Sequence, residues 1–424
     1  MFQLKDKKIW WMIFLYGLCS IIFHAFFVNV GGGDDNYFMT CLNDRTLGEF
    51  YVKRWNTWSS RLAIETVVVM VLKQPVWLWK VLDIFVSSVL AYLLFGILFH
   101  KKESGKAAIV CGIFLFLYDF REMDSAGYMT TTIFYWWVLA AAMIAFLPIY
   151  FHYNNEKVKT WIYALAVPCS IFAANQEQAA IIFVCLCMYM LGIYLFEKRK
   201  IPKYVVFLLL VGLISLAIVF VCPGNEVRKI SNIDFWFPNY AEFNIVHKGL
   251  LGWYGLLRTL FEDINWLFFA FTAILLGAVW KTSHKWYERW IAAVPFLANL
   301  ALGACIIISN FYDAGPVNKV VHAFDFDQPI VYYHGFLPLK LCLLVLAYTF
   351  TCLCVVFAMY VLWGPTKKFS HLMAVLVIGA ASKVSMGMSP TVWASSERTS
   401  IFLLFGFIII AVSCAEIIFK KQQC

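Results

Sequence analysis

Four groups of polar residues interrupt an otherwise apolar chain, and each has side chains that could do chemistry. The first is Gly31-Gly32-Gly33-Asp34-Asp35-Asn36-Tyr37. Three glycines end a helix, and two adjacent carboxylates follow. Side by side, Asp34 and Asp35 raise each other's proton affinity, so one could act as a base near neutral pH. The pair could also hold a divalent cation, and the same residues also suit a plain solvated turn. The second group is Asn175-Gln176-Glu177-Gln178, between two apolar runs. It reads either as a hairpin turn or as an ionisable Glu177 at membrane depth. The third is Cys222-Pro223-Gly224-Asn225-Glu226-Val227-Arg228. Here Pro and Gly stop a helix, and Arg228 can clamp a phosphate with its planar fork of donors or simply anchor the helix end. The fourth joins Lys383, Ser389-Pro390 and Glu397-Arg398. Lys383 can snorkel or meet an anion at headgroup level, and Arg398 offers a second clamp.

The elements that must position these groups follow from composition. The chain has 424 residues, 62% hydrophobic and only 14% charged, with mean hydropathy +0.75. That excludes a soluble enzyme, a disordered chain and a collagen. The net charge of +9 reflects membrane orientation rather than a polyanion partner, so no nucleic acid is expected. The fold class is all-α, a polytopic membrane protein with about twelve transmembrane helices. The apolar runs are 9–28, 76–99, 107–119, 131–151, 160–174, 179–196, 204–221, 264–280, 290–308, 338–362, 371–388 and 399–419. The first reads as a retained signal anchor. Lysines and arginines concentrate in the short loops on one side, which nets +14 against −5 for all other residues. The positive-inside rule therefore puts both termini in the cytoplasm.

Three long segments fall on the other side: 29–75, 222–263 and 309–337. Within the first, residues 61–73 are apolar but too short for a span, and Glu65 interrupts them. They read as an interfacial or re-entrant helix flanked by Trp55, Trp58, Trp77 and Trp79. Asp313, His322, Asp325, Asp327 and His334 in the third segment are weaker candidates. Trp236, Phe237, Tyr240, Trp253 and Tyr254 could stack on sugar or rest on the membrane. The 13 cysteines show no zinc spacing, and only Cys41 and Cys222 could form an external disulfide. Acids early in the chain and cations later suit a phosphate head on a long apolar tail, with a carboxylate to activate an attacking hydroxyl.

A cytoplasmic N-terminus, one span and an Asp-Asp motif in a long outer loop resemble the GT-C glycosyltransferases. The finer resemblance is to bacterial O-antigen and cell-wall-polymer glucosyltransferase-type membrane proteins. It rests on Asp34-Asp35-Asn36-Tyr37, on Pro223 through Arg228, and on Ser389-Pro390 through Glu397-Arg398. The resemblance implies a polyprenyl-phosphate sugar donor and a glycan or teichoic-type acceptor at the outer face of the bacterial cytoplasmic membrane. It implies Asp34 or Asp35 as base, and Arg228, Lys383 and Arg398 around the donor phosphate. Tyr37, Glu177, Asn225 and Glu397 then contact substrate. The first loop departs from the class in lacking Asp-x-Asp, so no cofactor is assigned beyond a divalent cation at Asp34/Asp35. Rival readings are a flippase for a lipid-linked saccharide and a polysaccharide polymerase or ligase.

Overall fold

Long apolar runs fold as helices because a helix satisfies its own backbone hydrogen bonds where no water can. The computed structural model describes residues 2–28, 30–102, 105–262, 264–311, 339–395 and 397–420, and these are all-helical with turns and no strand. Among the described residues, nine helices are long and apolar enough to cross a membrane: Lys7–Phe26, Val76–Phe99, Tyr128–Tyr153, Glu177–Phe196, Lys203–Val221, Trp286–Ser309, Cys342–Trp363, Lys367–Met388 and Arg398–Phe419. The helices Ile245–Phe261 and Trp266–Thr282, bent by 78° at a short break, make a tenth if taken as one span. The arrangement is compatible with a multi-pass membrane protein. Two of the twelve expected spans are helical but short. Gly105–Phe116 has 12 residues and Thr160–Ala174 has 15, and at ~1.5 Å per residue neither covers a ~30 Å hydrocarbon core alone. Asp313, His322, Asp325, Asp327 and His334 lie outside the described residues.

The chain divides into two compact units. The first comprises Met1–Gly105, Asp119–Pro238 and Ala394–Ile401, and the second the remainder. The first unit opens with five helices: α1 (Lys7–Phe26), α2 (Asp34–Thr40), α3 (Leu47–Thr57), α4 (Leu62–Leu72) and α5 (Val76–Phe99). α1 lies along α5, and two ionisable residues are buried where they meet. His24 Nε2 is 2.8 Å from Asp83 Oδ2, and Trp137 Nε1 donates to Asp83 Oδ1 at 2.5 Å. His24 Nδ1 lies 2.8 Å from the Ser20 carbonyl. That oxygen only accepts, so the ring meets it as a donor through Nδ1 and turns Nε2 to the carboxylate.

The 61–73 segment is α4, of 11 residues. Ile64, Glu65, Val68, Val69, Val71 and Leu72 are all buried, because α4 packs against α2, α3, α5, Thr160–Ala174 and the start of Tyr128–Tyr153. Cys41 and Cys222 are buried free thiols, donating to the carbonyls of Phe38 and Trp55, and the external disulfide is not formed.

In the second unit, Phe261 stacks on Tyr348 at 4.2 Å and Phe271 on Phe407 at 4.7 Å. Lys281 Nζ closes the carboxyl end of Ile401–Phe419 on the carbonyls of Ile418 and Lys420. Tyr240 and Tyr254 are core side chains here, and Trp253 donates to Thr349. Phe237, at the end of the first unit, is buried too, so of these five aromatics Trp236 alone is exposed, in edge-to-face contact with Phe235.

Candidate functional site

The Asp-Asp turn is built by two chain segments meeting. Asp34 N–H donates to the Ala126 carbonyl, and Asp35 N–H to Gly32. At Gly127, φ is 101° and a Cβ would sit 2.7 Å from the Gly32 oxygen, so only glycine closes the two turns together. The two carboxylates are then treated oppositely. Asp35 is fully buried. Its Oδ1 accepts from Thr130 N–H at 2.8 Å and Thr130 Oγ1 at 2.7 Å, and its Oδ2 accepts from Met129 N–H at 3.3 Å and Gly31 N–H at 3.5 Å. It caps the first turn of Tyr128–Tyr153, whose free N–H groups need an acceptor. Asp34 is exposed and accepts no side-chain hydrogen bond from the described residues. Crowding by neighbouring protein raises its pKa above the usual carboxylate value, while Arg398 and Arg54 pull it back down. Neighbouring helical positions face away from each other, so a divalent cation shared by the pair would have to displace the four donors on Asp35.

The first unit holds three further arginine-centred groups, and two of them, at Arg54 and Arg398, act on Asp34. α3 begins with a capping box, Thr46 with Glu49, and delivers Arg54 near its end. Arg54 grips Glu65 of α4 with two bonds, Nε–Oε2 2.7 Å and Nη2–Oε1 2.5 Å. The pair is sealed, Glu65 at 1% and Arg54 at 11% side-chain exposure. The rings of Tyr37, Phe38 and Trp58 lie within 5.8 Å of the guanidinium. Tyr37 thereby serves Arg54 as a cation–π partner.

The second assembly starts from the free end of α4. Asn175 Oδ1 accepts the N–H groups of Ala63 and Ile64, capping α4 from another segment. This brings Arg61 to Glu177, Nε–Oε2 2.6 Å, and Arg228 reaches the other oxygen at 3.4 Å. Arg228 stands on the helix Pro223–Trp236, which lies tight on α3: a Cβ on Gly224 would meet Trp58 N at 2.4 Å. Burial and the adjacent Arg61 charge lower the Arg228 pKa. Asn225 Nδ2 donates to Ser60 Oγ and to the Val219 carbonyl. The carbonyl fixes the amide's orientation and leaves Oδ1 buried without a partner.

The third is Arg398, in the 3-10 turn Glu397–Ser400. It donates to Ser125 Oγ at 2.7 Å and rests 5.9 Å from the Tyr135 ring, with Nε buried and unsatisfied. Among the described residues no carboxylate pairs with it. Tyr135 and Phe134, which lies 5.5 Å from Arg61, stand on a π-helical turn, Thr132–Trp137. Such turns insert one extra residue and re-aim side chains, often at functional sites.

We compared the chain with protein families, curated proteins and solved structures. None of them matches. The assignment therefore rests on geometry. Asp34, Asp35, Tyr37, Glu177, Asn225, Arg228 and Arg398 all belong to the first unit. Lys383 belongs to the second, where its side chain is buried within the helix packing rather than snorkelling. The Glu397 side chain lies outside the described residues. Glu177 holds two arginines, one on each carboxylate oxygen. Arg54 and Arg61 are residues the sequence reading passed over, and Glu65 figured there only as an interruption of an apolar segment. Their signal was available: two charges four residues apart, at positions 61 and 65, open an apolar segment too short to span.

Proposed function

We propose that the first unit carries the active site of a membrane glycosyltransferase. It moves a hexose, glucose in the reading above, from a polyprenyl phosphate to a glycan or wall-polymer hydroxyl outside the bacterial cytoplasmic membrane. Asp34 is the base, Arg398 holds the phosphate, and Asp35 positions the turn. The observation that carries this reading is an exposed carboxylate that accepts no side-chain hydrogen bond, within electrostatic reach of an arginine that pairs with no carboxylate among the described residues. Asp34 takes the proton from the acceptor hydroxyl. The freed oxygen pair attacks the anomeric carbon, and the bond from that carbon to the phosphate oxygen breaks, leaving its electron pair on phosphate. Arg398 donates to that oxygen as charge develops, which is where fixed donors accelerate most. Attack opposite the leaving group inverts the anomeric centre.

A second reading is a flippase for the same lipid-linked saccharide. The buried His24–Asp83 pair favours it, since ionisable groups inside apolar helices mark ion or substrate pathways. Purified protein in vesicles with radiolabelled polyprenyl-phospho-glucose and a crude wall glycan separates the two. Label transferred to glycan supports the transferase, and label that crosses the bilayer still on lipid refutes it.

A further inference from the structure

Besides the Arg199–Glu197 contact, the described residues of the first unit hold two arginine–glutamate assemblies around α4, and these differ in stoichiometry and access. Arg54 with Glu65 is one cation on one anion, bidentate and sealed. Such a pair is neutral and asks for nothing further. Arg61 and Arg228 are two cations on a single carboxylate, so the assembly carries one surplus positive charge. It is also only partly covered, with side-chain exposures of 23%, 22% and 21% for Arg61, Arg228 and Glu177 against 1% for Glu65. The Arg228 contact at 3.4 Å is long for a charge-assisted bond, and it engages one guanidinium nitrogen. Most of that fork is left for another acceptor. The neighbouring Asn225 fixes the start of the helix that carries Arg228 and keeps a buried acceptor, Oδ1, unfilled. A hydroxyl beside a phosphate would supply the missing donor.

We infer that Arg61 and Arg228 form a second anion subsite, separate from Arg398, for one phosphate monoanion or phosphodiester, with Glu177 remaining as their shared counter-ion. A monoanion brings the cluster to neutrality, and guanidinium forks match phosphate oxygens geometrically. The inference deepens the proposed function and rests on it: with the donor's sugar-bearing phosphate on Arg398, this subsite requires that one of the two reacting partners carry a second phosphate. The second phosphate belongs either to a diphosphate-linked donor or to a phosphodiester of the acceptor polymer.

The test is equilibrium binding to the full chain in nanodiscs of neutral lipid. The probes are farnesyl phosphate, farnesyl diphosphate and a glycerol-phosphate trimer. Arg61→Gln should weaken a probe that fills the second subsite by roughly tenfold or more, the loss of a charge-assisted pair, and should leave farnesyl phosphate within about twofold. Glu177→Gln should tighten the same probe, because it raises the surplus charge, and a misfolded variant cannot show that gain. An Arg61 effect on the diphosphate assigns the second phosphate to the donor, and an effect on the trimer assigns it to the acceptor. Unchanged affinities for both in Arg61→Gln and Glu177→Gln overturn the second subsite, whatever Arg398 does. Unchanged farnesyl phosphate affinity in Arg398→Gln instead overturns the parent reading.

Discussion

Asp35→Asn separates the two acids of the motif, and its cost can be worked out bond by bond. An asparagine keeps one oxygen and turns it toward Thr130, where the two short bonds of 2.8 and 2.7 Å lie. Both lose their charge assistance, about 1 kcal/mol each. Its Nδ2 then faces the N–H groups of Met129 and Gly31, which donated to Oδ2 at 3.3 and 3.5 Å. Two donors meet a donor in a site with no water, and the weaker pair of bonds is lost at about 1 kcal/mol more. The total is about 3 kcal/mol. Asp34→Asn changes an exposed side chain that holds no hydrogen bond, so stability should move by less than about 0.5 kcal/mol. The assay is the thermal midpoint in nanodiscs, followed by intrinsic fluorescence of the 17 tryptophans, with Thr130→Val as an intermediate case that removes one bond. Equal midpoints for Asp34→Asn and Asp35→Asn would refute the division of roles.

Two further outcomes follow from the charges. Arg54→Met strands Glu65 at 1% exposure and should cost about 3–5 kcal/mol, whereas the double change with Glu65→Leu should recover most of it; denaturation midpoints of the three variants check this. Transferase activity should fail on the acid side as Asp34 gains a proton, and the raised pKa puts that limb above the ordinary carboxylate range. Arg398 lowers the Asp34 pKa, so Arg398→Gln should move the acid limb to still higher pH. An acid limb that stays in place in a pH–rate profile of that variant excludes Asp34 as the titrating base.

Length and polarity made much of the fold legible. Runs such as 76–99 and 204–221 are long enough to have no soluble alternative, and the helices Val76–Phe99 and Lys203–Val221 follow them closely. Residues 107–119 and 160–174 were ambiguous because apolarity does not report depth, and their helices are short. The Asp-Asp turn was visible as a candidate from residue types alone. Which acid is free was not, because the donors that occupy Asp35 come from Met129 and Thr130, nearly a hundred residues away. The same holds for Arg228, whose partner Glu177 lies across 51 residues, and for Arg61 across 116. His24 and Asp83 were readable singly, as one ionisable residue in each of two apolar runs. Their pairing depends on how α1 lies along α5.

The account stands or falls on Asp34. Single-turnover transfer of labelled hexose from polyprenyl phosphate should be measured for wild type, Asp34→Asn and Thr130→Val, each checked for an intact thermal transition. Loss of transfer in Asp34→Asn by at least a hundredfold, with wild-type stability and with Thr130→Val retaining transfer, is the predicted result. Undiminished transfer in folded Asp34→Asn would contradict it.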